Sequence, residues 1–183
     1  LKRCLRRAVF VFPSHRPRPG MATFFQAVAD GDIGAMNEFM DADDFDIDAK
    51  DAGGFAALHH AAMAGEAAAG SLLVECSADV NVLDDQGNTP LMLAGRHNKR
   101  LVASMLLWGG ADRDPVNERG NTALHEAAAS RARDVAWLIV ENGGDQCMKV
   151  QNNEGKTPLD IATEVGADEE MLQMLQKALD DVS

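Results

Sequence analysis

The sequence has no tyrosine, and among its 183 residues only seven Phe and two Trp. Its alanines cluster, which suits close-packed short helices better than a large aromatic core. Three cysteines, Cys4, Cys76 and Cys147, are widely spaced and include no Cys-x-x-Cys pair. That indicates neither a disulfide framework nor a zinc site, and a reducing compartment is the default expectation. No apolar run approaches the roughly 18 residues of a transmembrane helix. Basic residues are scarce in most of the chain. Residues 1–20 hold six of the seventeen (Lys2, Arg3, Arg6, Arg7, Arg16, Arg18) and no acid. The remaining eleven face all twenty-nine acids, a net of −18. A body that acidic repels nucleic-acid phosphates and anionic membranes, so neither is an expected partner. Enzyme motifs are also missing. The chain has no phosphate-cradling glycine loop, no Gly-x-Ser-x-Gly elbow and no His-Glu-x-x-His. Asp44-x-Asp46-x-Asp48 opens like a calcium loop, but such a loop needs Gly at its sixth position and Glu at its twelfth. Those positions hold Ala49 and Phe55. Asp41 to Asp51 therefore reads as a solvated acidic loop, and no catalytic residue, metal or cofactor is expected.

A repeated phrase is present. Gly54-Phe55-Ala56-Ala57-Leu58-His59-His60-Ala61 is followed by Gly87-Asn88-Thr89-Pro90-Leu91-Met92-Leu93-Ala94. Gly120-Asn121-Thr122-Ala123-Leu124-His125-Glu126-Ala127 and Gly155-Lys156-Thr157-Pro158-Leu159-Asp160-Ile161-Ala162 come next. From Ala56 to Thr89, Thr122 and Thr157 the steps are 33, 33 and 35 residues. Thr can cap a helix through its hydroxyl, and Pro suits the first helical turn, where its missing N–H leaves no bond unmade. The phrase therefore marks helix starts. Period and phrase together resemble the ankyrin repeat. The resemblance implies an all-α solenoid of about five helix-turn-helix units with short β-hairpin-like loops. The units are expected at about 22–52, 53–83, 84–116, 117–151 and 152–181, within a domain of residues 21–183.

Residues 1–20 lie outside the repeat. Their apolar stretch, Ala8 to Phe12, is too short for a secretory signal. They read as upstream or cloning-derived sequence, since Met21-Ala22-Thr23 would make an ordinary start, or as an Arg-rich targeting segment. The prolines 13, 17 and 19 argue for disorder there. The first unit lacks the phrase, as terminal repeats do. Positions that end the first helix of each unit want a left-handed residue. Gly31, Gly65 and Gly166 suit it, Asn98 tolerates it, and Arg131 is expected to be strained by roughly 1–2 kcal/mol, so that Arg131→Gly should stabilise. Gly95 replaces a helix alanine, at about 1 kcal/mol. Asp168 is the expected N-cap of a last helix burying Met171, Leu172, Met174, Leu175, Ala178 and Leu179.

The resemblance implies protein binding along a concave surface of hairpin tips and inner helices. Carried over position by position, the contact residues are Phe55, Met63, Gln86, Asn88, Arg96, His97, Arg119 and Asn121. Basic and apolar members of this set suggest a partner segment that is apolar with an acidic group. His59 and His125 fill the family's histidine position and are read as loop-holding rather than catalytic. Trp108 and Trp137 fall on outer helices, either packed on neighbouring stems or forming a second contact surface. The expected function is a non-catalytic adaptor or regulator, monomeric and cytoplasmic, with the nucleus as an alternative place. If residues 1–20 are a targeting peptide, the alternative is an organelle-imported chaperone-like protein.

Overall fold

Why the chain breaks into short helices is visible at their ends. The computed structural model describes residues 21–41, 45–143 and 146–181, so the basic extension 1–20 lies outside the described residues. Among these residues the helices are α1 (Met21–Ala29), α2 (Ile33–Met40), α3 (Ala57–Ala64), α4 (Ala67–Glu75), α5 (Pro90–Arg96), α6 (Arg100–Trp108), α7 (Ala123–Ala129), α8 (Arg133–Glu141), α9 (Pro158–Glu164) and α10 (Glu169–Asp181). Thr89, Thr122 and Thr157 each accept a backbone N–H three residues on, from Met92 at 3.3 Å, His125 at 3.4 Å and Asp160 at 3.2 Å. These bonds satisfy one of the orphan donors that every helix start leaves. Asp168 caps α10 as expected, accepting from Met171 N–H at 2.8 Å. The β content of the described residues is one isolated bridge, Lys50 to Ala56.

Two rows result. The odd helices pack in series, α1 on α3, α3 on α5, α5 on α7 and α7 on α9. The even helices form the second row, from α2 to α10. This is the all-α solenoid, with one core running through the stack. Leu58, Leu91 and Leu124 are buried in it, and Leu159 is partly buried in the last unit. At the other end the core is aromatic. Phe24 meets Phe39 and Phe45 edge-on, with centroids 5.6 and 4.7 Å apart. The longer loop before the fifth unit is not idle, because Cys147 and Met148 in it are both buried.

Among the described residues, Ser77, Asn98 and Arg131 are the non-glycine residues with left-handed backbones, at φ 73°, 51° and 55°. The geometry expected at Arg131 is therefore kept, but the side chain recovers part of the strain. Its Nη2 donates to the carbonyl of Val165 in the next unit. Gly95 also has a tertiary reason. A Cβ there would stand 3.0 Å from Ala123 O and 3.2 Å from Ala127 N, so α5 and α7 could not sit as they do. The described part of the acidic loop, residues 45–51, is likewise more built than a solvated loop; Asp44 lies outside the described residues. Asp48 accepts the Asp79 N–H at 3.0 Å, and burial, the largest influence on it, raises its carboxyl above the usual value.

Candidate protein-binding surface

Each hairpin starts with an Asp or Asn that folds the turn around one oxygen. Asp51 Oδ1 accepts from Gly53 and Phe55 N–H at 2.8 and 3.0 Å. Asp84 Oδ1 accepts from Gln86 and Asn88 at 2.8 and 2.7 Å. Asn117 Oδ1 takes Arg119 and Asn121, both at 3.0 Å, and Asn152 Oδ1 takes Glu154 and Lys156 at 3.0 and 3.1 Å. A short polar side chain bonded to its own backbone two residues on is what makes such turns local. The tips of the last three hairpins are then tied to one another. Glu118 N–H donates to Gln86 O at 3.1 Å, and Asn153 N–H to Arg119 O at 3.0 Å. The tip side chains thus project from a ladder of backbone bonds.

The two repeat histidines extend the ladder inward. His59 Nδ1 accepts the Ala56 N–H at 3.1 Å, and its Nε2 lies 3.0 Å from Asn88 O. A backbone N–H can only donate and a carbonyl can only accept, so the ring is neutral with its proton on Nε2. His125 repeats the arrangement with Thr122 N–H at 3.1 Å and Lys156 O at 3.1 Å. Burial lowers both pKa values, against carbonyl bonds that raise them. Each histidine links its own helix start to the next hairpin. Asp160 takes the same register in the last unit and caps Thr157 N–H at 2.9 Å.

Two of the expected contact residues are not on the surface. Asn88 and Asn121 are 1% and 9% exposed. Asn88 donates to Asp84 Oδ2 at 2.8 Å and accepts from Arg96 Nη2 at 3.1 Å and Asn117 Nδ2 at 2.8 Å. Asn121 accepts from Asn152 Nδ2 at 2.9 Å and donates to Glu126 Oε1 at 3.0 Å. Their role is internal, because their side-chain groups are bonded within their own unit and to the next one. Arg96 is a third exposed, with Nε on Glu126 Oε2 at 3.0 Å. Glu126 is the hub. It also accepts from Asn117 Nδ2 at 3.0 Å, and it is 5% exposed. Burial alone would raise its carboxyl, but the bonds from Arg96, Asn121 and Asn117 outweigh this and hold it below the usual range. Sequence reasoning missed Glu126. The available signal was its register, since His60, Leu93 and Ile161 stand there in other units and an acid among them must find donors.

The other expected residues divide by exposure. Phe55 and Met63 are half-buried against the core, with Phe55 edge-on to His59 and His60. Gln86, His97 and Arg119 are exposed. Arg119 borders an open cleft of about 390 Å³ between the tips of the last two hairpins, with Glu118, Asn153, Lys156 and Glu164. Lys156 is clasped there by Glu154 at 2.9 Å and Glu164 at 2.6 Å, which raises its ammonium above the ordinary value. On the outer row Trp108 is 90% exposed, so neighbouring stems do not cover it, whereas Trp137, at 46%, is partly covered. Among the described residues no group of three His, Cys, Asp or Glu is placed to hold a metal ion, and no helix is long and apolar enough to cross a membrane.

A sequence model of the family described as ankyrin repeats (3 copies) matches residues 24–114 and again 98–182. No curated protein sequence matches the chain significantly.

Proposed function

Starting from the fact that the chain belongs to the ankyrin repeat family, whose domains are in general protein–protein interaction modules, we propose that it is a non-catalytic adaptor or regulator. It binds one partner across its hairpin tips and the exposed ends of its inner helices. The observation that carries this reading is the division of labour along each hairpin. The first Asp or Asn of each hairpin folds its own turn, and Asn88 and Asn121 before Thr89 and Thr122 are bonded inward, while Gln86 and Arg119 stand exposed at tips tied by backbone bonds. A platform whose backbone is already rigid has little backbone entropy left to lose on binding. Affinity capture with the wild-type chain and with a Gln86→Ala/Arg119→Ala variant, read by mass spectrometry, tests it. The partner should be lost from the variant, and capture at full strength by both would refute the surface. The protein acts as a monomer in the cytoplasm or nucleus. A second reading, an organelle-imported chaperone-like protein, is favoured only by the Arg-rich, acid-free composition of residues 1–20. N-terminal analysis of the mature protein decides it.

A further inference from the structure

The few cations of the repeat region are not evenly spread. Residues 21–183 carry eleven Lys and Arg, and five of them, Arg96, Lys99, Arg100, Arg131 and Arg133, lie in or directly beside two adjacent turns. These are the turns joining α5 to α6 and α7 to α8, and His97 sits in the first of them. The corresponding turns of the other units carry acids instead: Asp30 and Asp32 in the first, Glu66 in the second, Asp168 in the fifth. Along one edge of the stack, then, the charge runs negative, positive, negative.

Two of the five cations are neutralised within the fold. Arg96 pairs with Glu126, and Arg133 pairs with Asp134, Asp168 and Glu170. Lys99, Arg100 and Arg131 have no carboxylate within ion-pair distance among the described residues. Arg131 is held by a neutral carbonyl, so its charge is not cancelled. The stem of Lys99 lies across Gly65 of the preceding unit, where an added Cβ would come within 2.9 Å of its Cδ. Arg100 and Arg131 are exposed. His97 beside them is held below its ordinary pKa, first by burial and then by Arg96 and Lys99. Like charges gathered without a counter-charge are unfavourable, and a bound anion relieves them.

We propose that this basic turn edge docks an acidic peptide segment of the partner protein, its carboxylates meeting Lys99, Arg100 and Arg131. The proposal rests on the protein-binding reading and names the chemistry of the partner. Neighbouring turns lie about 10 Å apart, the usual separation of packed helices. Carboxylates about three residues apart on an extended strand span that distance. The short length of the basic edge decides the class of ligand. Nucleic acid carries unbroken charge past the patch onto the acidic turns on either side, and there it is repelled. A peptide with a few carboxylates ends where the patch ends.

The test uses the full chain and a fluorescein-labelled peptide of repeating Glu and Ala, with an oligo-thymidine of equal charge as the rival probe. Fluorescence anisotropy should show peptide binding that weakens with salt. Lys99→Glu/Arg100→Glu should weaken it about tenfold or more, since attraction becomes repulsion at both positions. Lys99→Gln/Arg100→Gln should lie between, and Arg113→Glu/Lys177→Glu, the same charge change elsewhere, should leave it within about twofold. Bound peptide should also raise the His97 pKa, read by NMR. No peptide binding, an equal loss in the Arg113/Lys177 variant, or equal or tighter binding of the oligonucleotide would overturn the proposal. Its failure is separable from failure of the platform reading. A captured partner that depends on Gln86 and Arg119 but survives Lys99→Glu/Arg100→Glu refutes only the acidic docking edge.

Discussion

Removing the Glu126 carboxylate should destabilise the stack more than any single surface change. Three donors converge on it: Arg96 Nε, Asn117 Nδ2 and Asn121 Nδ2, each at 3.0 Å. Hydrogen bonds to a charged group contribute about 1.5–3 kcal/mol each, so a naive total would be roughly 5–9 kcal/mol. Two corrections bring it down. Bonds to one hub are not additive. Arg96, with a third of its side chain exposed, can rehydrate when its partner goes. The Asn117 and Asn121 residues, at 7% and 9% exposure, cannot do so easily. Glu126→Ala should therefore cost about 3–5 kcal/mol, the range for breaking a buried pair from one side. Glu126→Gln keeps the shape and should cost less. A double-mutant cycle with Arg96→Ala should return a coupling of about 1–3 kcal/mol. The assay is urea unfolding of the full chain followed by far-UV circular dichroism. It should be compared at midpoints, because repeat stacks can unfold in parts. There is an acid arm as well. The Glu126 pKa is lowered in the fold, so its contribution is complete above the ordinary 4.5 and is lost as pH falls through the lowered value. The Ala variant should lack that component. A Glu126→Ala protein within about 0.5 kcal/mol of wild type, the scatter of ordinary surface changes, would refute the hub.

His59 and His125 are neutral in the fold with lowered pKa values, so the unfolded chain binds their protons first as pH drops. Their stability is complete above the ordinary 6.5 and should decline as pH falls below it, which urea midpoints at neutral and mildly acidic pH will show. A flat profile, or one unchanged in a His59→Gln/His125→Gln protein, would contradict the neutral state assigned to the two rings. Gly95→Ala gains about 1 kcal/mol of helix propensity but presses a methyl on Ala123 O. Overpacking against backbone should win, with a net loss of about 1–2 kcal/mol in thermal unfolding, and a stabilised variant would show that α7 can yield. Arg131→Gly relieves roughly 1–2 kcal/mol of left-handed strain. It also loses the bond to Val165 O and makes the unfolded chain more flexible, so the net change should stay within about 1 kcal/mol. A clear rise in melting temperature would mean the guanidinium bond contributes nothing.

Local signals carried the fold. The 33-residue step, the capping threonines and the left-handed turn positions are short-range matters of backbone geometry, and the helices of the structure begin and end where they say. Asn98 and Arg131 adopt left-handed backbones where the register alone demanded them. The sequence by itself therefore determined the class of fold and the spacing of its units, because each helix start and stop is decided by a few adjacent residues. Tertiary structure decided which polar residues face outward. Asn88, Asn121 and Gln86 belong to similar hairpins, yet two are internal and one is exposed. What separates them is a set of partners 29 to 31 residues away: Asn117 for Asn88, and Asn152 for Asn121. The same holds for Glu126, whose burial depends on Arg96 of the preceding unit, and for Gly95, whose reason is the nearness of α7. No local pattern states whether a side chain's donors and acceptors will be met by the next unit or by water. Only the stacking of one unit on another settles that.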